Sequence, residues 1–178
     1  RRSSDLSYGI QLSNGNLLFM KSNEKSKVDF FVKEAHNLKA IAKTNTITTP
    51  KILGFGTEDG EEVGYSFLLL DFVELGNLDA DFWENFAETL GNMHKSTTEA
   101  FISKEDLAEG KIFGFYEDNY IGKTKQINSP KITWVDFFRE NRLAPQFKMA
   151  EKYFSTEDSK LIDKLLDNLA DFLIEPRS

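Results

Sequence analysis

LLFMKSNEKSKVDFFVKE, residues 17–34, is the stretch whose reading decides the fold. At period two, Leu17, Phe19 and Lys21 share one face of a strand, and Leu18 and Met20 share the other. A lysine that continues an apolar face needs a partner, because an unpaired buried ammonium is costly. A polar loop follows, and then Val28, Phe31, Ala35, Leu38 and Ala42 recur at helical spacing. Glu34 stands thirteen residues after Lys21, where the inner face of that helix can turn toward the strand. The stretch therefore reads as strand, loop and helix, with a lysine and a glutamate facing each other. By itself it also fits a solvated lysine at a strand end and a surface glutamate.

Working outward, residues 3–21 read as a hairpin. Tyr8, Ile10 and Leu12 alternate, Asn14-Gly15 is expected to form a two-residue turn, and 16–21 returns. The helix is expected over 27–43. Pro50 opens a short strand, Lys51–Phe55, the polar TEDGEEVG at 57–64 is a hairpin loop, and Tyr65–Phe72 is a buried strand. After Leu75-Gly76-Asn77 the pattern turns helical. Residues 81–96 carry Phe82, Phe86, Leu90 and Met93 on one stripe. Residues 103–108 read as a short helical turn, and 113–130, rich in Gly, Asn and aromatics, as a loop. Residues 132–142 form an aromatic helix with Trp134, Phe137 and Phe138 in its core, continued after a kink by Pro145–Tyr153. Ser155, with Asp158 three residues on, caps a last helix expected to run through Leu169, Phe172 and Leu173 to Pro176. The fold class is α+β: a β-rich lobe with one helix over residues 1–73, then a helical segment over 74–178.

The bulk numbers narrow the function. The chain has 178 residues, 40% hydrophobic and 13% aromatic, which suits a packed core rather than disorder. Its net charge is −7 and no basic block occurs, so a nucleic-acid surface is not expected. It has no cysteine and two histidines, His36 and His94, which excludes a disulfide framework, a thiolate nucleophile and a His-rich metal site. The longest strongly apolar run, 66–72, is far short of a membrane span, and no signal peptide heads the chain, so a cytoplasmic location is expected. The chain opens without Met and stops abruptly, so a fragment is expected.

A strand lysine held by a helix glutamate is the arrangement with which protein kinases grip the α- and β-phosphates of ATP. The order of elements and four longer segments resemble the fructosamine kinases (ketosamine-3-kinases), small-molecule kinases of protein-kinase-like fold. These segments are LLFMKSN with FVKEAHNLKAIAKTNTITTPKILGFG, then SFLLLDFVELG, then FAETLGNMHKST, and lastly FGFYEDNYIGKTKQINSPKITWVDFFRENRLAPQFKMAEK. The last is the most specific, with its Phe-Gly, Gln-x-Asn, Trp-x-x-Phe-Phe and Arg-Leu-x-Pro-Gln. The resemblance implies a small antiparallel-sheet N-lobe with one αC-like helix, followed by the first helices of a mainly helical C-lobe. Two departures stand out. SSDLSYG has Ser and Asp where the family usually has glycine. The family's His-Gly-Asp catalytic loop and metal-binding Asp do not occur in the sequence, so the catalytic Asp and the Mg²⁺ ligands are expected beyond Ser178.

The resemblance implies roles residue by residue. Lys21 neutralises ATP phosphates and Glu34 holds it. Ser4 and Ser7, with Ser3, offer donors to phosphate oxygens. Asp71, Phe72 and Val73 form a hinge whose backbone bonds adenine, with Leu53 and Leu69 as purine walls. Asp118, Asn119 and Gly122 lie on the side of the sugar substrate. The full protein is then an ATP- and Mg²⁺-dependent kinase that phosphorylates a sugar hydroxyl of a ketosamine, with a small glycated amine as its partner and no nucleic acid or membrane. The 178 residues alone are expected to be inactive and to expose apolar surface. Two alternatives stay open: an aminoglycoside- or choline-kinase-like phosphotransferase, and a non-catalytic nucleotide-binding scaffold. Nothing in the residues specifies an oligomeric state.

Overall fold

The computed structural model describes residues 6–58, 64–96 and 98–176. Ser3 and Ser4 of the expected phosphate loop lie outside them. The chain divides into two compact units, 1–100 and 101–178. In this division the helix 82–94 goes with the sheet, whereas the sequence reading drew its boundary at 73/74.

In the first unit, β1 (Leu6–Gln11), β2 (Leu17–Glu24), β3 (Ile52–Glu58) and β4 (Tyr65–Asp71) form an antiparallel sheet in the order β1-β2-β4-β3. The β1–β2 connection is not the two-residue turn that Asn14-Gly15 suggested. Leu12 N–H donates to Asn16 O at 2.8 Å and Gly15 N–H to Leu12 O at 2.9 Å, which closes a three-residue loop. Gly15 adopts φ +88°, the left-handed residue such a loop requires, and the Asn14 side chain accepts from Asn16 N–H instead of entering the turn's mirror-image form.

Helix α1 (Val28–Lys43) packs on β3 and β4. Phe19 pairs with Leu70 and Lys21 with Leu68, so all four point to one face of the sheet. Leu68, Leu70, Phe31 and Ala35 are buried together there, with Phe19, Leu38, Ile52 and Phe55 packed around them. Burying the Phe31 side chain contributes about 2–3 kcal/mol. Ser66 is fully buried on β4, and its hydroxyl donates to Glu24 O at 2.8 Å.

Helix α2 (Phe82–His94) forms where its period predicted, but it buries no residue. Phe82 and Phe86 remain 36% and 41% exposed, and Trp83 is 68% exposed. Apolar spacing marks a face that is able to pack; it does not supply the surface to pack against.

The second unit begins with α3 (Lys104–Ala108), capped by the Ser103 hydroxyl. The expected loop 113–130 contains a hairpin, β5 (Asn119–Ile121) with β6 (Thr124–Gln126). Strands of three residues are too short for alternation to register. Gly122, at φ +60°, takes the first central position of the two-residue turn, which fits the type II′ geometry. Helix α4 (Trp134–Phe138), a wide π turn (Arg139–Leu143) and α5 (Ala144–Ala150) follow one another directly. Pro145 sits in the first turn of α5, where its missing N–H is not needed. Phe137 and Val135 are buried, and the Trp134 ring stacks on Phe137 and Phe138. Helix α6 (Thr156–Asp167) carries the expected Ser155/Asp158 capping box but ends six residues before Leu173, with Leu169 buried in a 3₁₀ turn beyond it.

Candidate functional site

Lys21 and Glu34 meet. The ammonium donates to both carboxylate oxygens, at 2.7 Å to Oε1 and 2.8 Å to Oε2. The strand brings the lysine to the helix side of the sheet. Glu34 lies between Phe31 and Leu38 on the buried side of α1, so its carboxylate reaches inward. The Lys21 side chain is 26% exposed and that of Glu34 35%. An ammonium has three donors, and Glu34 accepts two, which leaves one N–H for an anionic oxygen. The pair thus fits a phosphate-gripping cation and its orienting partner. Ser7 pairs directly with Lys21 across β1 and β2 and shares its face, with an exposed side chain.

Asp71 closes β4. Its N–H donates to Lys51 O at 3.0 Å, and its Oδ1 accepts from Lys51 N–H at 2.6 Å. Phe72 and Val73 continue beyond the last ladder pair, Leu18 with Asp71, and are exposed. Leu69 pairs with Met20 and therefore faces away from Lys21; the leucines on the Lys21 face are Leu68 and Leu70. A purine wall on the Lys21 face would therefore draw on Leu68 or Leu70, since at period two Leu69 is on the opposite face. Leu53 is 51% exposed at the irregularity between Ile52 and Gly54.

Asp118 and Asn119 belong to a polar network in the second unit. Asn128, 2% exposed, donates its backbone N–H to Asp118 Oδ1 at 2.9 Å and its amide Nδ2 to Asn119 Oδ1 at 2.8 Å and Glu117 O at 3.1 Å. Gln126 Nε2 donates to the same Asn119 oxygen at 3.1 Å. Arg142 reaches in from the π turn, giving Nη1 to Ile127 O at 2.6 Å and Nη2 to Asn128 Oδ1 at 2.8 Å, with its guanidinium over the Phe137 ring. Burial pulls the Arg142 guanidinium below its ordinary value, but arginine stays charged. Asn141, 5% exposed, donates to Ser129 O at 2.7 Å. Burial and the neighbouring Glu117 charge push the Tyr116 phenol up. Gly122 stands apart from this network at the hairpin tip, where turn geometry accounts for the glycine.

The sequence reading assigned no role to Gln126, Asn128, Asn141 or Arg142. The available signal was polar residues recurring inside an otherwise aromatic segment, since buried polar groups are retained where they bond to one another. Neither histidine enters a catalytic arrangement: His94 is exposed at the end of α2, and His36 lies edge-on to Phe55. Among the described residues, no group of three His, Cys, Asp or Glu is arranged to hold a metal ion, and no helix is long and apolar enough to cross a membrane.

A small antiparallel sheet, one helix docked on it and a lysine–glutamate pair between them define a protein-kinase-like fold. Two solved structures share it. One, from Haemophilus somnus 129PT and described as a candidate fructosamine-3-kinase, is 27% identical with a TM-score of 0.71, over 94% of this chain and 50% of that one. A second, from Thermobifida fusca, has a TM-score of 0.72 at 23% identity, over 99% and 56%, and supports the fold alone. The fructosamine kinase family model matches residues 4–177, and the chain belongs to that family. A chloroplastic protein-ribulosamine 3-kinase of Oryza sativa subsp. japonica is 32% identical over 160 residues, covering 88% of this chain and 42% of the relative. A candidate ketoamine kinase of Synechocystis is 32% identical over 134 residues, covering 75% and 40%. The chain thus spans less than half the length of these two curated relatives.

Proposed function

We propose that residues 1–178 are the nucleotide-gripping part of an ATP-dependent ketosamine kinase, which phosphorylates a sugar hydroxyl of a glycated amine. The observation that carries this reading is the two-oxygen Lys21–Glu34 pair, which is built across β2 and α1 and leaves one ammonium donor over. ATP, when bound, supplies the γ-phosphoryl group. Lys21 would neutralise the phosphates, and Glu34 would hold its ammonium in place. Ser7, next to Lys21 on the sheet, is a further donor, and Ser4 would extend that role. The backbone of Asp71, Phe72 and Val73 would hold the base. Since the Asp71 N–H already bonds Lys51 O, Phe72 and Val73 are the better candidates. Asp118, Asn119 and the Gly122 turn would face the acceptor.

The acceptor-activating Asp and the ligands of Mg²⁺ are taken to lie outside these residues. Positioning and charge neutralisation are most of what phosphoryl transfer asks of a protein apart from the metal. The relatives' ribulosamine and ketoamine kinase names support this acceptor class.

The test is calorimetric titration of the 178-residue chain with ATP, followed by the same titration of K21M and E34Q. Saturable binding is expected, weakened more than tenfold in K21M and less in E34Q. Equal affinity in K21M overturns the reading. Phosphoryl transfer to fructosyl-lysine by this chain alone would refute the assignment of the acceptor base elsewhere.

A further inference from the structure

The buried polar network of the second unit has a direction. It starts at Arg142 and ends at one carboxylate oxygen. The π turn 139–143 presents consecutive residues to the segment 127–129 just after β6: Asn141 bonds Ser129, and Arg142 bonds Ile127 O and the Asn128 side chain. Such turns recur at functional positions, because the extra backbone residue re-aims a side chain. Asn128 is nearly inaccessible and uses its backbone N–H on Asp118 Oδ1. Phe137 stacks beneath the guanidinium and fixes its plane. No buried side-chain polar atom among the described residues lacks a partner. A fully satisfied network of this kind is rigid.

At the far end, Asp118 is different. Oδ1 is taken by Asn128, while Oδ2 has Lys125 Nζ at 3.5 Å, longer than a charge-assisted hydrogen bond and from a side chain 67% exposed. A carboxylate about one-third exposed is thus held by one oxygen on a rigid support, with the other toward the exposed Lys125.

We propose that Arg142 is a positioning residue. Acting through Asn128, it aims Oδ2 of Asp118 at the protonated secondary amine of the ketosamine. This rests on the acceptor-side reading of Asp118 above and deepens it: it names the cationic amine, not the sugar hydroxyls, as what Asp118 recognises. A guanidinium is needed because two carbonyl-type oxygens on adjacent residues must be bonded at once from a fixed plane, which a lysine ammonium does not reproduce.

The experiment measures the dissociation constant of the 178-residue chain for fructosyl-lysine and, separately, for ATP. The proteins are the unsubstituted chain, D118N, R142Q, R142K and the double variant D118N/R142Q, each checked for folding by its thermal midpoint. Expected results are a roughly tenfold loss of fructosyl-lysine binding in D118N and a similar loss in R142Q. R142K should recover part of the loss, and ATP affinity should be unchanged throughout. The double variant should lose no more than D118N alone, because Arg142 acts through Asp118. A purely structural arginine would instead give additive losses and lower ATP affinity as well. If D118N binds fructosyl-lysine normally, or the unsubstituted chain does not bind it, the acceptor-side reading itself fails and takes the proposal with it. If D118N weakens binding but R142Q does not, or the losses add, the acceptor-side reading stands and the positioning role is overturned. Should R142Q not fold, R142K decides: an undiminished affinity overturns the proposal, and a loss absent from the D118N background supports it.

Discussion

Replacing Asn128 with alanine removes the centre of the polar network without touching the aromatic core beside it. Three hydrogen bonds of the side chain are lost, two donated by Nδ2 and one accepted from Arg142. Asn119 Oδ1 keeps its bond from Gln126, and Arg142 keeps Ile127 O, so neither is stranded. At about 1 kcal/mol net for each bond, the loss is about 3 kcal/mol. For a chain of this size that corresponds to a fall in thermal midpoint of roughly 6–12 °C. Urea unfolding of the W83F background, followed by Trp134 fluorescence, isolates the second unit; Trp83 is largely exposed and removable. A loss below about 1 kcal/mol in N128A would refute the claim that this amide is the hub.

Two further outcomes follow from local geometry. A Cβ on Gly114 would lie 2.7 Å from Pro130 Cα and 2.8 Å from Asn128 O, both backbone atoms that cannot swing away, so G114A should separate the 113–115 segment from 128–130 and destabilise the second unit; an unchanged urea midpoint would contradict this. Asp158 is held below its ordinary 3.8 by backbone and side-chain hydrogen bonds from Ser155, so its capping contribution is present above the unfolded value and lost as pH falls through the lower folded one. NMR titration should show S155A returning Asp158 toward 3.8, and no change would mean the capping box does not form.

Much of the fold was legible because strong periodicities marked it. Leu17, Phe19 and Lys21 at period two, and Phe31, Ala35 and Leu38 at helical spacing, placed β2 and α1 and put Lys21 and Glu34 face to face. Ser155 with Asp158 placed the start of α6. Short or polar elements left no such mark. The β5–β6 hairpin has three-residue strands, and the β1–β2 loop was decided by hydrogen bonds to Leu12 rather than by the identity of Asn14-Gly15. A run of three leucines, 68–70, shows no alternation by itself; the pairing with Met20 is what puts Leu69 on the sheet face opposite Lys21.

The amino-acid order by itself determined which residues carry charge on an apolar strand, where helices start and the family to which the chain belongs. These are local matters of spacing and of short words. The tertiary structure alone decided that Gln126, Asn128 and Arg142 are one hydrogen-bonded object, and that α2 forms without being covered within its own unit. Both depend on what lies opposite a side chain in space, and residues far apart along the chain, such as Asn119 and Arg142, show no sign in the sequence that they share Asn128 as a partner.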